Sequence, residues 1–470
     1  MRTAAALGGV LLLAAQGAGA EPGRPEETAD AVLIRENVAW PRHLHDAAGL
    51  PEWLDVAFDH RTRFEYFAEP FRPDEPGTQT RFPARTRLRI GVDAPAGAPV
   101  LGPAGIRFLA ELQDSRTWSD SRDDFTRGEI DKLSFAQLFV SGTRRDLFGS
   151  GLRGDLHLGR MSLDVASRRW VARNGFRNTT NAFDGVHAQL ASEGAWRLRA
   201  FYVRPVLLDP DYFENESEGQ RRLWGVAYED LRCAWGDVDL VYLGFHDRIG
   251  TGSTLTRRYH NVGARLRRAP GPSAFDWELD LMAQFGDRSV LRSGAKTRLD
   301  HEAFAAHAEL GYSFAARWSP RLLVQLDYAS GTADPDGDES HSFDPLFGAR
   351  RFDLAATGIY GPFRRSNIWS PGMRLLVKPR KDLSAWIKVR HWRLAQEKDA
   401  FSGTGLADPT GSAGDRLGTD LEISVRWRPH PWLELEAGYD HWWKGSYLDE
   451  VGASSDEDAD YAYVSVRIRL

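Results

Sequence analysis

Leu54-Asp55-Val56-Ala57-Phe58-Asp59-His60-Arg61-Thr62-Arg63-Phe64-Glu65-Tyr66 carries the fold in miniature. Leu54, Val56, Phe58, Thr62, Phe64 and Tyr66 share one parity, and Asp55, Asp59, Arg61, Arg63 and Glu65 share the other. A period of two over this length is a β-strand with one apolar and one polar face. The texture recurs. Phe82, Ala84, Thr86, Leu88, Ile90 and Val92 alternate with Arg85, Arg87 and Arg89, and Phe275 to Phe285 alternates with Asp276, Glu278, Asp280 and Gln284. Thr419 to Trp427, Leu433 to Tyr439 and Val464 to Leu470 repeat it at the end of the chain.

About 18 such segments occur, each near the ~10 residues that a tilted strand needs to cross a bilayer. Leu133 to Val140 and Leu156 to Arg160 are weaker and leave a latitude of about two strands in that count. Short turns such as Ser192 to Ala195, Pro379 to Asp382 and Pro429 to Pro431 alternate with long polar loops. The long loops are Arg116 to Asp131, Arg160 to Ala182, Pro205 to Arg222, Ser330 to Asn367, Leu394 to Arg416 and Trp443 to Asp460. Strict short-long alternation puts all short turns on one rim, as in an outer-membrane barrel with periplasmic turns and extracellular loops.

A mean hydropathy of -0.44 with 27% charged residues over 470 residues rules out membrane-spanning helices, not a membrane. A barrel shows lipid only alternate residues, so the other half of each strand is free to carry charge. Trp53, Trp196, Trp277, Trp318, Trp427, Trp432 and Trp442 lie near strand ends, where aromatic girdles belong. Arg2, the apolar run Leu7 to Ala15 and Ala18-Gly19-Ala20 read as a signal peptide over residues 1–20. Residues 21–52 read as an N-terminal periplasmic arm and 53–470 as an all-β, transmembrane, antiparallel up-and-down barrel. Cys233 is the only cysteine, so no internal disulfide forms, and Glu21 after the expected cleavage site argues against a lipoprotein anchor. Sixty basic and 66 acidic residues, mixed throughout, give no footprint for nucleic acid. A soluble propeller is set aside because no repeat of about 40 to 50 residues appears.

Short motifs then carry a family resemblance. His157-Leu158-Gly159-Arg160-Met161, Arg168-Arg169-Trp170-Val171, Arg173-Asn174 and Phe183-Asp184-Gly185-Val186 resemble a signature of the alginate export porin family. Phe343 to Phe347, Asn367-Ile368, Lys378-Pro379, His391-Trp392-Arg393, Leu417 to Glu422 and Lys444 to Tyr447 continue it in order. Met161 stands where the family usually has Gln, and Leu470 where outer-membrane barrels usually end in Phe or Trp. The resemblance implies an 18-stranded barrel in the outer membrane of a Gram-negative bacterium, passing an anionic polyuronate. It also implies that the loop carrying Arg160, Arg169, Arg173 and Asp184 folds toward the pore.

Lumen parity selects Arg61, Arg63, Arg85, Arg87, Arg89, Arg107, Arg265, Arg267, Arg374, Lys388, Arg390, Arg426 and Arg428. Rings of such groups set anion selectivity in pores, and guanidinium suits carboxylates. The competing reading pairs them with Asp55, Asp59, Glu65, Glu111, Asp276, Glu278, Asp420 and Glu422 as structural ladders. Asp334, Asp336 and Asp338 lack the spacing of an EF-hand and read as a solvated loop, so no metal and no cofactor is expected. Catalysis is not expected either: Asp440-His441 and Ser340-His341-Ser342 come without a nucleophile motif, and strand neighbours face opposite ways. The expected partners are outer-membrane lipid and lipopolysaccharide, an anionic polysaccharide and periplasmic export-complex proteins. An uptake porin for small anionic solutes or oligosaccharides is the alternative, and a plugged structural barrel the third reading.

Overall fold

The computed structural model describes residues 43–70, 77–94, 104–119, 125–192, 194–249, 255–351, 353–355, 362–452 and 457–470. The expected signal peptide and most of the expected arm lie outside them. The arm ends in a short helix, α1 (His43–Ala48). Eighteen long strands follow: β1 (Leu54–Ala68), β2 (Thr78–Asp93), β3 (Ala104–Ser119), β4 (Asp131–Arg144), β5 (Arg153–Met161), β6 (Phe183–Ser192), β7 (Trp196–Leu207), β8 (Arg222–Cys233) and β9 (Gly236–Ile249). The second half is β10 (Leu255–Arg268), β11 (Ala274–Arg292), β12 (Ala295–Ser313), β13 (Arg321–Ala329), β14 (Ile368–Arg380), β15 (Leu383–Arg393), β16 (Arg416–His430), β17 (Leu433–Lys444) and β18 (Ala459–Arg469).

Each long strand pairs antiparallel with its sequence neighbours, and β18 returns to β1. There Arg63 lies opposite Ser465 and Phe64 opposite Val464, which closes the sheet into a barrel. Closure leaves no unpaired strand edge, the condition for a sheet in hydrocarbon. The alternation read from sequence sets the two faces. Phe64, Phe82, Ile90, Val226 and Val464 are exposed on the outside, while Asp59, Arg61, Arg85 and Glu111 are buried within. No helix of the described residues is long and apolar enough to cross a membrane.

Two expectations need correction. The short-long alternation is not strict, because β11 and β12 meet in a two-residue turn, Ser293-Gly294, on the loop rim. These two strands run 19 residues each, so a long hairpin replaces a long loop there. Trp442 belongs to no girdle: it is fully buried, donates from Nε1 to the Leu417 carbonyl at 3.0 Å and packs on Phe363. Trp53, Trp318, Trp427 and Trp432 are exposed near strand ends as expected.

Gly159 shows why the family-like motif is glycine-bearing. It sits opposite Gly185 at φ +130°, and a Cβ there lies 2.4 Å from the Leu138 carbonyl oxygen. Gly159→Val is expected to overpack β4 against β5 and to cost about 1–3 kcal/mol. The urea midpoint of the heat-modifiable folded band on gels reads this; an unshifted midpoint would show that the strands have room.

Candidate functional site

Two of the long loops do not stay in water. The 162–182 loop joins β5 to β6, and the 330–367 loop joins β13 to β14. Both carry more apolar surface than a hydrated loop tolerates. Leu163, Val165, Trp170, Val171 and Phe176 from the first, and Phe343, Leu354 and Phe363 from the second, form one buried cluster with wall residues. Trp170 packs edge-on to Phe343 at 5.4 Å, and Phe363 stacks on Trp392 at 3.8 Å. The loops also touch through backbone. The Phe347 amide donates to the Trp170 carbonyl at 3.0 Å, the Ala172 amide to the Phe347 carbonyl at 3.1 Å, and the Ala349 amide to the Arg168 carbonyl at 2.9 Å. Gly348 permits this approach, since a Cβ there lies 1.7 Å from the Arg169 carbonyl oxygen.

Charges on the wall hold the loops inside. Arg61 and Arg85 both donate to the Gly175 carbonyl, at 2.9 and 3.0 Å, and to the Arg177 carbonyl. Arg63 donates to the Phe176 carbonyl at 3.0 Å and lies over its ring. Arg173 pairs with Glu111 on β3. Arg169 bridges both loops and the wall, with Asp353 at 2.7 Å, Asp280 at 3.3 Å and Glu278. Arg365 pairs with Asp353 in turn, and Arg351 reaches Glu422 at 2.5 Å. Burial penalises charge on these groups, yet partners outweigh it. Arg169, His307 and Arg365 hold the Asp353 carboxyl below the usual carboxylate range, while Asp353, Glu278 and Asp280 raise the Arg169 guanidinium above its ordinary value.

Between these loops and the turn rim lies a chamber lined from both sides. Its walls are β14 to β18 and β1, and its roof is Asn174 to Phe176 with Arg168, Ala349 and Arg351. Nine arginines line it (Arg61, Arg63, Arg168, Arg351, Arg374, Arg426, Arg428, Arg467 and Arg469) against two glutamates, Glu434 and Glu436. Each glutamate already has partners: Arg426 holds Glu436 at 2.7 Å, and Arg428 holds Glu434 at 2.7 Å. Behind the lining, Glu65, Glu422 and Asp59 pair with Arg63, Arg351 and Arg467, so arginines remain in excess by number, and Trp386, Phe176 and Tyr463 add flat apolar faces.

A family model described as "Alginate export" matches residues 52–464, most of the chain. The chain belongs to the alginate export family. A comparison with curated proteins finds no match. Among solved structures, Pseudomonas aeruginosa OccD3 (OpdP) is similar at 11% identity and TM-score 0.55, covering 89% of this chain and 91% of that one. Pseudomonas aeruginosa OccK2 (OpdF), in complex with glucuronate, is similar at 11% identity and TM-score 0.56, covering 89% and 98%. Acinetobacter baumannii OccAB1 follows at 9% and 0.56, covering 89% and 97%. At these identities the likeness is one of fold, an 18-stranded barrel. Family and fold are those of a transport channel.

Of the residues chosen from sequence, Arg61, Arg63, Arg85, Arg87, Arg89, Arg107, Arg374, Lys388, Arg390 and Arg426 face the lumen from the wall. Arg169 and Arg173 lie inside it on the 162–182 loop. Arg61, Arg63, Arg374 and Arg426 of these reach the chamber, as does Arg428 from the same lumen parity. Arg87 is bound to Asp59 at 3.1 Å, Arg89 and Arg107 to Asp55, Lys388 to Glu422 at 2.6 Å, and Arg390 to Asp327 at 2.9 Å. Arg160 and Asp184 are corrections. They share the parity of the exposed Leu156 and Leu158, pair with each other at 2.8 Å outside the barrel, and are covered by Asn215 and Ser217. The glycines beside them, not these charges, belong to the wall's packing. Arg467 and Arg469, on the polar parity of the last strand, are chamber residues beyond the chosen candidates, and Arg351 is one that the alternation does not reach. The density of Phe, Leu and Arg between residues 343 and 365 was the available signal for Arg351.

Two expectations follow. Arg61→Ala with Arg85→Ala frees the Gly175 carbonyl and is expected to raise single-channel conductance several-fold; unchanged conductance would mean that other contacts seat the loop. The lowered Asp353 pKa contributes stability that is present above about pH 4 and lost as pH falls through the folded value. Conductance is therefore expected to stay level from pH 8 to about 4 and to rise only below that; a rise near pH 6 would contradict the pairing.

Proposed function

We propose that this protein is a passive outer-membrane channel of a Gram-negative bacterium that conducts an anionic, alginate-like polyuronate through its arginine-lined lumen. The observation that carries the reading is the chamber, nine arginines against two paired glutamates. A polyuronate repeats a carboxylate on every sugar, and planar guanidinium groups meet carboxylates through paired hydrogen bonds. Chamber arginines stand in for the counterions of the polymer. Glu434 and Glu436 keep the hold weak, since conduction needs binding that is favourable and short-lived. Trp386, Phe176 and Tyr463 offer faces on which pyranose rings slide. Family membership supports the polymer class, and the glucuronate bound to OccK2 supports the fit of uronates to this fold. One observation favours the second reading, uptake of small anionic solutes or oligosaccharides: the loop pair narrows the lumen, which a short sugar passes more readily than a polymer.

Planar-bilayer recording tests the reading. Anions are expected to permeate more readily than cations, and oligouronates to block at lower concentration than neutral oligosaccharides of equal length. R426Q/R428Q/R469Q is expected to weaken that block about tenfold, or 1.4 kcal/mol. Cation preference without oligouronate block would overturn the proposal, and block by monomers but not by longer chains would favour uptake.

A further inference from the structure

Strands β7 to β10 carry arginines on both faces near the loop rim, and the two faces differ in kind. Inward, Arg221 and Arg257 both hold Asp247, and Arg257 also holds Asp344 at 2.7 Å. Outward, Arg204, Arg222, Arg248 and Arg258 are exposed; Asp184, opposite Arg204, pairs with Arg160 instead, and Asp287, opposite Arg258, with Arg298. They are one cluster. Arg222 and Arg258 are the register partners of His246 on its two sides, and Arg248 also acts on His246 electrostatically.

The height of the cluster defines its surroundings. One outward step toward the turn rim comes an aromatic row: Tyr202 stacks by Trp224, and the Tyr242 hydroxyl bonds His260 Nδ1 at 2.8 Å. Below that row the outward residues are apolar, Leu198, Val226 and Val262. This is the order of a membrane interface, with lipid, aromatic girdle, then charge. An arginine facing the bilayer midplane costs about 2–4 kcal/mol, falling to ~0–1 at the interface. Elsewhere on this rim outward cations are neutralised internally, Arg116 by Asp114 and Lys132 by Asp211.

We infer that Arg204, Arg222, Arg248 and Arg258 form a binding site for the phosphates of an outer-leaflet glycolipid, the lipid A moiety of lipopolysaccharide. Adjacent strands are about 4.8 Å apart, so the site spans roughly 15 Å across β7 to β10, a surface for a headgroup rather than a single ion. Guanidinium groups bind phosphate oxygens in pairs, and such pairing supplies counter-charge to four arginines whose neighbouring carboxylates, Asp184 and Asp287, are already taken by Arg160 and Arg298. The inference rests on the outer-membrane placement proposed above, and it assigns the lipid to one sector of the barrel.

Purified barrel in detergent, titrated with lipopolysaccharide, tests it. The wild type is expected to bind, and R222Q/R248Q/R258Q to lose at least tenfold in affinity while keeping its heat-modifiable folded band. The matched turn-rim variant R232Q/R268Q is expected to bind as the wild type does. Lipopolysaccharide stripped of phosphate is expected to bind the wild type as weakly as intact lipid binds the triple variant, and millimolar inorganic phosphate to leave the lipid in place. Undiminished affinity in the folded triple variant, or equal loss in the turn-rim variant, would overturn the assignment. Displacement by inorganic phosphate would also overturn it, since the site would then take a small anion. A wild type that conducts anions selectively yet binds no lipopolysaccharide would remove this inference and leave the channel reading standing.

Discussion

Closure of the sheet between Leu54–Ala68 and Ala459–Arg469 is the constraint on which the molecule depends, because a sheet in hydrocarbon cannot leave one row of amides unpaired. Closure fixes which parity meets lipid and which meets the lumen all the way round. Once one parity is apolar, the other is free to be charged. The seam itself shows how the interior answers, since Asp59 on β1 is held by Arg87 and by Arg467 at 2.7 Å, with Arg469 at 3.6 Å. One carboxylate thus ties three strands across the join.

The same logic explains why two loops turn inward. An eighteen-stranded barrel encloses more space than wall side chains fill. Loops with Trp170, Phe176, Phe343 and Phe363 bury that apolar surface only by entering the lumen, and doing so brings backbone carbonyls and charges out of water. Arg61 and Arg85 satisfy the carbonyls, and the Arg169–Asp353–Arg365 set satisfies the charges. Buried ion pairs contribute little net stability but make removal of either partner costly. They therefore act as registers that seat the loops in one position. Below the loops arginines outnumber the carboxylates that pair with them, Glu434, Glu436 and Asp59 being shared among Arg426, Arg428, Arg467 and Arg469.

How much of this was legible in sequence depends on the physics at each position. The walls were, because a period of two records lipid on one side and lumen on the other. That period selected Arg374 and Arg426 with no structure at hand. It also misled where a motif stood in for geometry: Arg160 and Asp184 follow the outward parity of Leu156 and Leu158, and a polar pair outside the band is stable once Asn215 and Ser217 cover it. Loop burial was legible only through composition, and the length of the 330–367 loop hid Arg351 and Asp353 among residues that read as solvated. The Ser293-Gly294 turn broke the rim rule because β11 and β12 continue beyond the membrane as a hairpin. Pairing between a strand and a distant loop, such as Glu422 with Arg351, has no sequence signature at all.

An experimental structure of the barrel with a bound oligouronate tests the central claim most directly. The account predicts sugar carboxylates within hydrogen-bond distance of Arg426, Arg428, Arg467 or Arg469, below a 162–182 loop still seated on Arg61 and Arg85. Sugar found only on the outer surface, with no sugar carboxylate at any chamber arginine, would contradict it.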